Sequence, residues 1–180
     1  MVDGVLQLGQ GAWISKLDLK DAFKIIPVHP SDIPLLGIRW RGLYFVAQWM
    51  VFGLRSAARI FNNFSTALAW IIFDWAKKRP IPSHLCTETG NISQLFVSDL
   101  MKFRHLLDDF IVLSNLNHKL ALLIFKEIVQ TFQNYGFPLN FKKLFEPALC
   151  QIVFGIGINT RELCFYVSDN KADQNLILNQ

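Results

Sequence analysis

The chain has 180 residues, with 18 lysines and arginines against 14 acidic residues, and a formal net charge of +4. This length accommodates one ordinary domain, or one subdomain of a larger protein. A hydrophobic content of 52% with 18% charged residues excludes a disordered or low-complexity chain. The mean hydropathy of +0.28 is high for a soluble domain. It leaves two classes, a membrane protein or a globular piece with exposed apolar surface.

We do not expect a membrane-spanning segment. A spanning helix needs about 20 mostly apolar residues, whereas the longest apolar run, Leu43 to Leu54, is shorter and contains Gln48 and Gly53. The amino terminus lacks the basic and apolar regions of a signal peptide. Three cysteines without a C-x-x-C pair indicate an intracellular setting, with nucleus and cytoplasm not distinguished. The positive balance permits a nucleic-acid partner.

The first elements predicted along the chain are short. Residues 13–19 alternate in polarity and predict a strand. Residues 21–26 predict a helical turn that ends before two prolines. Residues 35–40 and 43–49 are β-rich and predict a hairpin around an Arg-Gly turn.

The strongest predicted helix covers residues 56–76, with Ser56 as its N-cap. Apolar residues at spacings of three and four predict one buried face. These residues are Ile60, Phe64, Leu68, Ile71 and Trp75. Residues 80–101 then combine Pro, Ser, Thr and Gly, and predict a long, poorly packed loop or insertion.

The second half of the chain predicts a β-α-β arrangement. Residues 103–113 indicate two short apolar strands around Asp108 and Asp109, and residues 151–166 a closing hairpin. Residues 117–135 predict a helix that ends at Gly136. Its predicted buried face comprises Ala121, Ile124, Ile128, Phe132 and Tyr135. The element order predicts an α+β fold with helices packed on one face of an antiparallel sheet.

Three acidic residues point to metal chemistry. Asp108 and Asp109 are adjacent between two apolar strands, where mutual repulsion and desolvation both disfavour their charges. A divalent cation relieves both effects, and Mg²⁺ is typically held by one or two carboxylates with water and phosphates. Asp18 ends another apolar strand, so three acids from two strands suffice for a two-metal site. The alternatives are an exposed turn for the pair and a helix cap for Asp18.

Several segments together resemble the catalytic motifs of reverse transcriptases, most closely those of DIRS-type and gypsy-like retrotransposons. The order and approximate spacing of the motifs carry this resemblance, which extends from about Leu8 to Lys171. The matching segments are Asp18–Phe23, Ile26–Pro30, Leu35–Trp40, Phe52–Ala57, His105–Phe110, Gly136–Lys143 and Val153–Ile158.

The resemblance implies a polymerase palm over residues 1–171, followed by a tail at 172–180. It implies RNA-directed DNA synthesis, a nucleotidyl transfer with two Mg²⁺ ions, or Mn²⁺, held by the three acids. Asp18 and Asp108 would be the principal ligands and Asp109 the third acid. The implied partners are dNTPs and an RNA or DNA template-primer. Fingers, thumb and RNase H parts of a larger polyprotein are expected to be missing here.

The resemblance also assigns binding residues. Phe23 would be the steric gate against a ribose 2′-hydroxyl, and Phe52 and Gly53 would border the nucleotide. Lys142 or Lys143 would lie near the incoming phosphates, with one of them as a proton donor. Arg55 and Arg59 would contact template phosphates, and Leu106, in the place of the family's tyrosine, would face the primer. The alternatives are a core aromatic for Phe23 and solvated surface for the basic residues.

Two other hypotheses remain open at this point. We expect the chain to be an incomplete or diverged fragment. The first alternative is therefore a catalytically dead or domesticated palm that binds nucleic acid or a protein partner. A two-metal nuclease on an unrelated fold would require the motif order to be chance. The retained acids favour the polymerase lineage, and we expect the isolated chain to be inactive.

Overall fold

A computed structural model of the protein describes residues 2–81 and 95–167, with side-chain burial from Gly4 onward. The α-helices are α1 Val2–Leu8, α2 Ala57–Lys78, α3 Val97–Leu100 and α4 His118–Asn134. The strands are β1 Trp13–Asp18, β2 Gly37–Trp40, β3 Leu43–Val46, β4 Met101–Leu106, β5 Asp109–Ser114, β6 Phe145–Ala148, β7 Cys150–Val153, β8 Ile156–Asn159 and β9 Cys164–Val167. Single 3-10 turns occupy Ala22–Ile25, Ile33–Leu36 and Phe141–Lys143.

The central sheet has the strand order β4-β5-β1-β6, and every neighbouring pair is antiparallel. β2 and β3 form a separate hairpin, and β7, β8 and β9 form a three-stranded antiparallel sheet. The predicted α+β class with antiparallel strands is confirmed. The predicted helical turn near residue 22 and the hairpin around Arg41 and Gly42 are also confirmed.

The two faces of the central sheet bury different residues, as the two-residue period of a strand requires. Leu17 and Phe110 pack into the main core with residues of α2 and α4. Ile14 and Leu113 point to the opposite face, where they form a smaller core with α1 and the β7–β9 sheet. Asp18 lies on this second face, beyond its apolar part.

Helix α4 largely follows its predicted pattern. Ala121, Ile124, Ile128 and Phe132 are buried, and Gly136 adopts φ 78° directly after the helix, as its predicted capping role requires. The prediction for Tyr135 is wrong, because this side chain is 60% exposed. Tyr135 follows the last helical residue, so the helical period no longer sets its direction.

Helix α2 is where it was predicted, but two details were wrong. The Ser56 side chain makes no capping hydrogen bond, because its backbone is already helical. The buried stripe is rotated by about one residue from the predicted one, and Ile60 is exposed. The stripe comprises Ala57, Phe61, Ser65, Leu68, Ile72 and Ala76, while Phe64, Ile71 and Trp75 are only partly buried.

The described ends of the predicted 80–101 loop are packed, which corrects the prediction there. Ile81 and Val97 are buried in the main core. The Ile81 N–H donates to the Leu95 carbonyl at 2.9 Å, and the Val97 N–H donates to the Arg79 carbonyl at 2.9 Å. The remainder of the predicted loop, residues 82–94, and the predicted tail lie outside the described residues.

Other elements were not predicted. Helix α1 and strand β6 are absent from the predicted order, and the closing hairpin is a three-stranded sheet that turns at residues 154–155 and again at 160–163. Within residues 2–81 and 95–167, none of the helices is both long enough and apolar enough to cross a bilayer. The limits of the single palm domain, residues 1–171, stay a prediction.

Candidate active site

The acids predicted from separate motifs meet at one end of the central sheet. Asp18, the last residue of β1, lies opposite Asp109, the first residue of β5, in the antiparallel register. The backbone N–H of Leu19 donates to the carbonyl of Asp108 at 3.1 Å. The fold therefore brings the end of β1 against the turn between β4 and β5.

That turn has an unusual backbone. Leu106 pairs with Asp109, so the loop consists of Leu107 and Asp108 alone. Leu107 adopts φ 53°, the left-handed region that favours glycine and costs other residues about 1–2 kcal/mol. The Ser65 hydroxyl on α2 donates to the Leu107 carbonyl at 2.7 Å. The turn that carries Asp108 is thus strained, and it is held from outside the hairpin.

Asp18 is a buried carboxylate with a donor on each oxygen. The side-chain amide of Asn140 donates to Oδ2 at 3.1 Å, and the Lys143 ammonium donates to Oδ1 at 3.3 Å. The Asn140 backbone N–H also donates to the Asp18 carbonyl at 2.9 Å. The segment before β6 therefore fixes both the backbone and the carboxylate of Asp18.

Asp109 has a different environment. Its Oδ1 lies 3.0 Å from the Lys16 ammonium and forms an ion pair with it, although no group among the described residues meets this oxygen with hydrogen-bond geometry. Burial raises the pKa of Asp109 above its ordinary value, Lys16 opposes the shift, and the charges of Asp18 and Asp108 add to it. Burial thus disfavours the ionised form of Asp109, although Lys16 lies beside it.

A cavity of about 540 Å³ borders this end of the sheet, and Asp18, Asp108 and Lys143 line it. Phe23 is buried in its wall and stacks on Phe61 with ring centroids 5.0 Å apart. Other lining residues include Lys20, Asp21, Lys24, Gln48, Trp49, Met50, Phe52 and Asn140. The cavity is lined by three carboxylates, three lysines and an aromatic wall, so it presents both negative and positive charges beside apolar surface.

Phe52 provides an exposed part of that wall. Its side chain is 80% exposed, yet its ring centroid lies 4.6 Å from that of Phe23. Gly53 follows with φ 90°, and a Cβ added to it would meet no heavy atom within 4 Å. A side chain at position 53 would therefore be disfavoured by the backbone conformation and not by crowding.

The remaining predicted residues do not line the cavity. Arg55 and Arg59 are exposed at the start of α2, and Lys142 is exposed beside Lys143. Leu106 is exposed at the end of β4, next to the turn that carries Asp108. Of the two predicted lysines, Lys143 is the one whose ammonium contacts Asp18.

The donor set is compatible with a divalent cation. Asp18 and Asp108 border the same cavity. The Lys143 ammonium lies 3.3 Å from Asp18 Oδ1, so this oxygen already has a positively charged neighbour. Within residues 2–81 and 95–167, no three His, Cys, Asp or Glu side chains are grouped closely enough to hold a metal together. Mg²⁺ held by one or two carboxylates, with water and phosphate oxygens completing its shell, does not require such a group.

Sequence reasoning missed three residues of the site. Lys16 lies two positions before Asp18 on the same strand, so the strand period places both on one face. Asn140 lies within one of the matching motifs, but nothing in the local sequence indicated its role. Ser65 had no local signal, because its partner Leu107 is 42 residues away.

Comparison with solved structures shows a reverse-transcriptase-like fold. The chain is similar to the foamy viral protease-reverse transcriptase dRH in complex with double-stranded DNA, with a TM-score of 0.66 and 15% identity, over 100% of this chain and 26% of that chain. The foamy viral enzyme in complex with an RNA/DNA hybrid gives a TM-score of 0.63 and 15% identity, over 93% and 18%. Native prototype foamy virus protease-reverse transcriptase gives 0.57 and 16%, over 88% and 17%.

These identities establish the fold alone. The chain spans between 17% and 26% of the lengths of these three proteins. No protein-family model and no curated protein matches the sequence. The mixed α/β architecture, with its antiparallel sheets, is nevertheless similar to the polymerase domain of a reverse transcriptase.

Proposed function

We propose that the chain is the palm of a retrotransposon reverse transcriptase of the DIRS-type or gypsy-like class, which performs RNA-directed DNA synthesis. The observation that carries the proposal is the convergence of Asp18 and Asp108 on one cavity, in a fold similar to viral reverse transcriptases. In this reaction a primer 3′-hydroxyl attacks the α-phosphate of a dNTP, and pyrophosphate leaves.

The residues divide the work by position. Asp18 and Asp108 would hold Mg²⁺ or Mn²⁺, with Asp109 as the third acid; the two ions would supply charge stabilisation for the attacking and leaving oxygens. Asn140 orients the Asp18 carboxylate through a hydrogen bond to Oδ2. Lys143 borders the same cavity, which supports a role in which its ammonium would face the phosphates and donate a proton to the leaving group.

Phe23 is proposed to select deoxyribonucleotides. Its ring forms part of the cavity wall and is backed by Phe61, which is fully buried on α2. A ring supported in this way cannot retreat easily, because protein interiors are close-packed. A ribose 2′-hydroxyl would then collide with it, whereas a deoxyribose would not.

A template-primer is the proposed macromolecular partner. Between Asp32 and Asp74 the chain carries the arginines Arg39, Arg41, Arg55 and Arg59 and no acidic residue. Arg39 and Arg41 lie over the exposed rings of Tyr44 and Trp40, each at 5.6 Å from the ring centroid. Cations beside exposed aromatic rings favour contact with phosphates and unstacked bases.

Nucleotide binding tests the proposal directly. We would titrate the 180-residue chain with the fluorescent nucleotide mant-dGTP in the presence of Mn²⁺ and follow its anisotropy. Asp18→Asn and Asp108→Asn should each weaken binding by about tenfold or more, because each removes charge from the cation site. Asp32→Asn is the matched control, since Asp32 is exposed and does not line the cavity. Unchanged binding in both site variants would refute the proposal.

Primer extension distinguishes a palm that is active by itself from one that is an inactive fragment. We expect little or no extension of a DNA primer on an RNA template, because orientation of the triphosphate supplies about 7–11 kcal/mol of such barriers. Robust synthesis that is lost in Asp108→Asn would show instead that the palm alone is sufficient. Oligonucleotide binding that persists without Mn²⁺-dependent nucleotide binding would favour a nucleic-acid-binding remnant.

A further inference from the structure

Ser65 is a fully buried polar residue on the side of α2 that packs into the core. Its hydroxyl lies 3.0 Å from the Phe61 carbonyl of its own helix and 2.7 Å from the Leu107 carbonyl in the β4–β5 turn. A serine hydroxyl has a single proton, and the shorter distance favours donation to Leu107. Ser65 therefore joins α2 to the residue directly before Asp108.

The sequence of the turn does not favour the conformation that it adopts. Leu107 has a left-handed backbone, at the first position of a two-residue loop, where glycine, asparagine or aspartate is usual. The carbonyl of Asp108 accepts from the N–H of Leu19, directly after β1, and the carbonyl of Leu107 accepts from Ser65. Both carbonyls of the turn are thus held from outside the hairpin, one by each neighbouring element.

We infer that Ser65 is a positioning residue that fixes the direction of the Asp108 carboxylate toward the cavity shared with Asp18. The inference rests on the proposed function, in which Asp108 holds a divalent cation. With alanine at position 65, the partly buried Leu107 carbonyl would lose its donor, and an unpaired carbonyl that water reaches poorly is costly. The turn would then relax from its left-handed conformation and carry Asp108 with it.

Mn²⁺ binding by the folded chain tests this role without requiring polymerase activity. We would measure free Mn²⁺ by electron paramagnetic resonance at a temperature at which circular dichroism shows each variant to be fully folded. Ser65→Ala should weaken Mn²⁺ binding by about 3- to 10-fold, the equivalent of one hydrogen bond. Ser65→Cys is nearly isosteric and donates weakly, so it should give a smaller loss and remains informative if Ser65→Ala does not fold.

The matched control is Ser114→Ala, a buried serine at the opposite end of β5 from the turn, which should retain wild-type Mn²⁺ affinity. A second test combines Ser65→Ala with Leu107→Gly, because glycine adopts the left-handed backbone without the steric cost that leucine has. In that background the loss caused by Ser65→Ala should shrink. A purely structural role would lower thermal stability and leave the Mn²⁺ affinity of the folded protein unchanged.

The outcomes separate this inference from the proposed function. If Asp18→Asn and Asp108→Asn retain wild-type Mn²⁺ binding, the proposed function fails. If those variants lose Mn²⁺ while Ser65→Ala and Ser65→Cys keep wild-type affinity, the positioning role of Ser65 alone is overturned. Loss in the aspartate variants with a partial loss in both Ser65 variants supports it.

Discussion

The substitution Asn140→Ala should destabilise the folded protein more than Lys143→Ala, although both residues donate to the same carboxylate. Asp18 is buried, and its side chain is only 6% exposed. Asn140 is partly buried and donates from its side chain to Oδ2, whereas the Lys143 side chain is 58% exposed and contacts Oδ1. The alanine variant keeps the Asn140 backbone N–H to the Asp18 carbonyl, so the comparison isolates the amide group.

The magnitudes follow from burial. A hydrogen bond to a charged group contributes about 1.5–3 kcal/mol, and its loss in Asn140→Ala leaves one oxygen of a buried carboxylate without a donor. An exposed ion pair contributes about 0–1 kcal/mol, because solvent screens it and the lysine side chain loses entropy. For a chain of this size, a loss of about 1.5–3 kcal/mol in Asn140→Ala corresponds to a midpoint of thermal unfolding that is lower by about 3–12 °C.

Urea unfolding followed by tryptophan fluorescence provides the measurement, with the same substitutions repeated in an Asp18→Asn background. There the Asn140→Ala penalty should fall to about 1 kcal/mol or less, since a neutral acceptor forms a weaker bond. A Lys143→Ala variant that is less stable than Asn140→Ala would refute the reasoning. So would an Asn140→Ala penalty that is the same in both backgrounds.

Two further predictions concern packing and pH. In Gly157→Ala the new Cβ would overlap the ring of Tyr166, its cross-strand partner, so urea unfolding should show a loss of about 1–3 kcal/mol; the loss should shrink in a Tyr166→Ala background, and an equal loss would contradict the packing explanation. Burial lowers the pKa of His105 from its ordinary value of 6.5, so the unfolded chain binds a proton more readily than the folded one. The contribution of His105 to stability should therefore be complete above about pH 7 and decline as the pH falls below 6.5. His105→Gln should reduce the difference between urea midpoints at about pH 5.5 and 7.5, and an unchanged difference would count against this assignment.

Local sequence predicted the buried face of a helix correctly where the apolar residues are confined to one side of it. Helix α4 has polar residues on one side, so the spacing of Ala121, Ile124, Ile128 and Phe132 identified its buried stripe. Helix α2 carries apolar residues on most of its circumference, including the exposed Ile60 and Trp70. The period then indicated a helix without identifying the side that the core would cover.

Short elements gave the weakest local signals. Helix α1 has seven residues and contains Gly4, and strand β6 has four residues and contains Pro147. Glycine and proline disfavour helix and strand interiors respectively. Pairing of β6 with β1, together with the packing of α1 against the smaller core, outweighs those preferences.

The three acids and the aromatic at position 23 could be chosen from sequence as candidate site residues, because carboxylates beside apolar strands and the order of the motifs are both visible in the chain. Their partners could not be selected. The hydrogen bonds from Ser65 to Leu107 and from Asn140 to Asp18 each join separate elements of the fold. The contact between Lys16 and Asp109 depends on the pairing of β1 with β5. A hydrogen bond requires two groups within about 3 Å. Only the packing of α2, the antiparallel register of β1 with β5, and the course of the chain before β6 bring these atoms together.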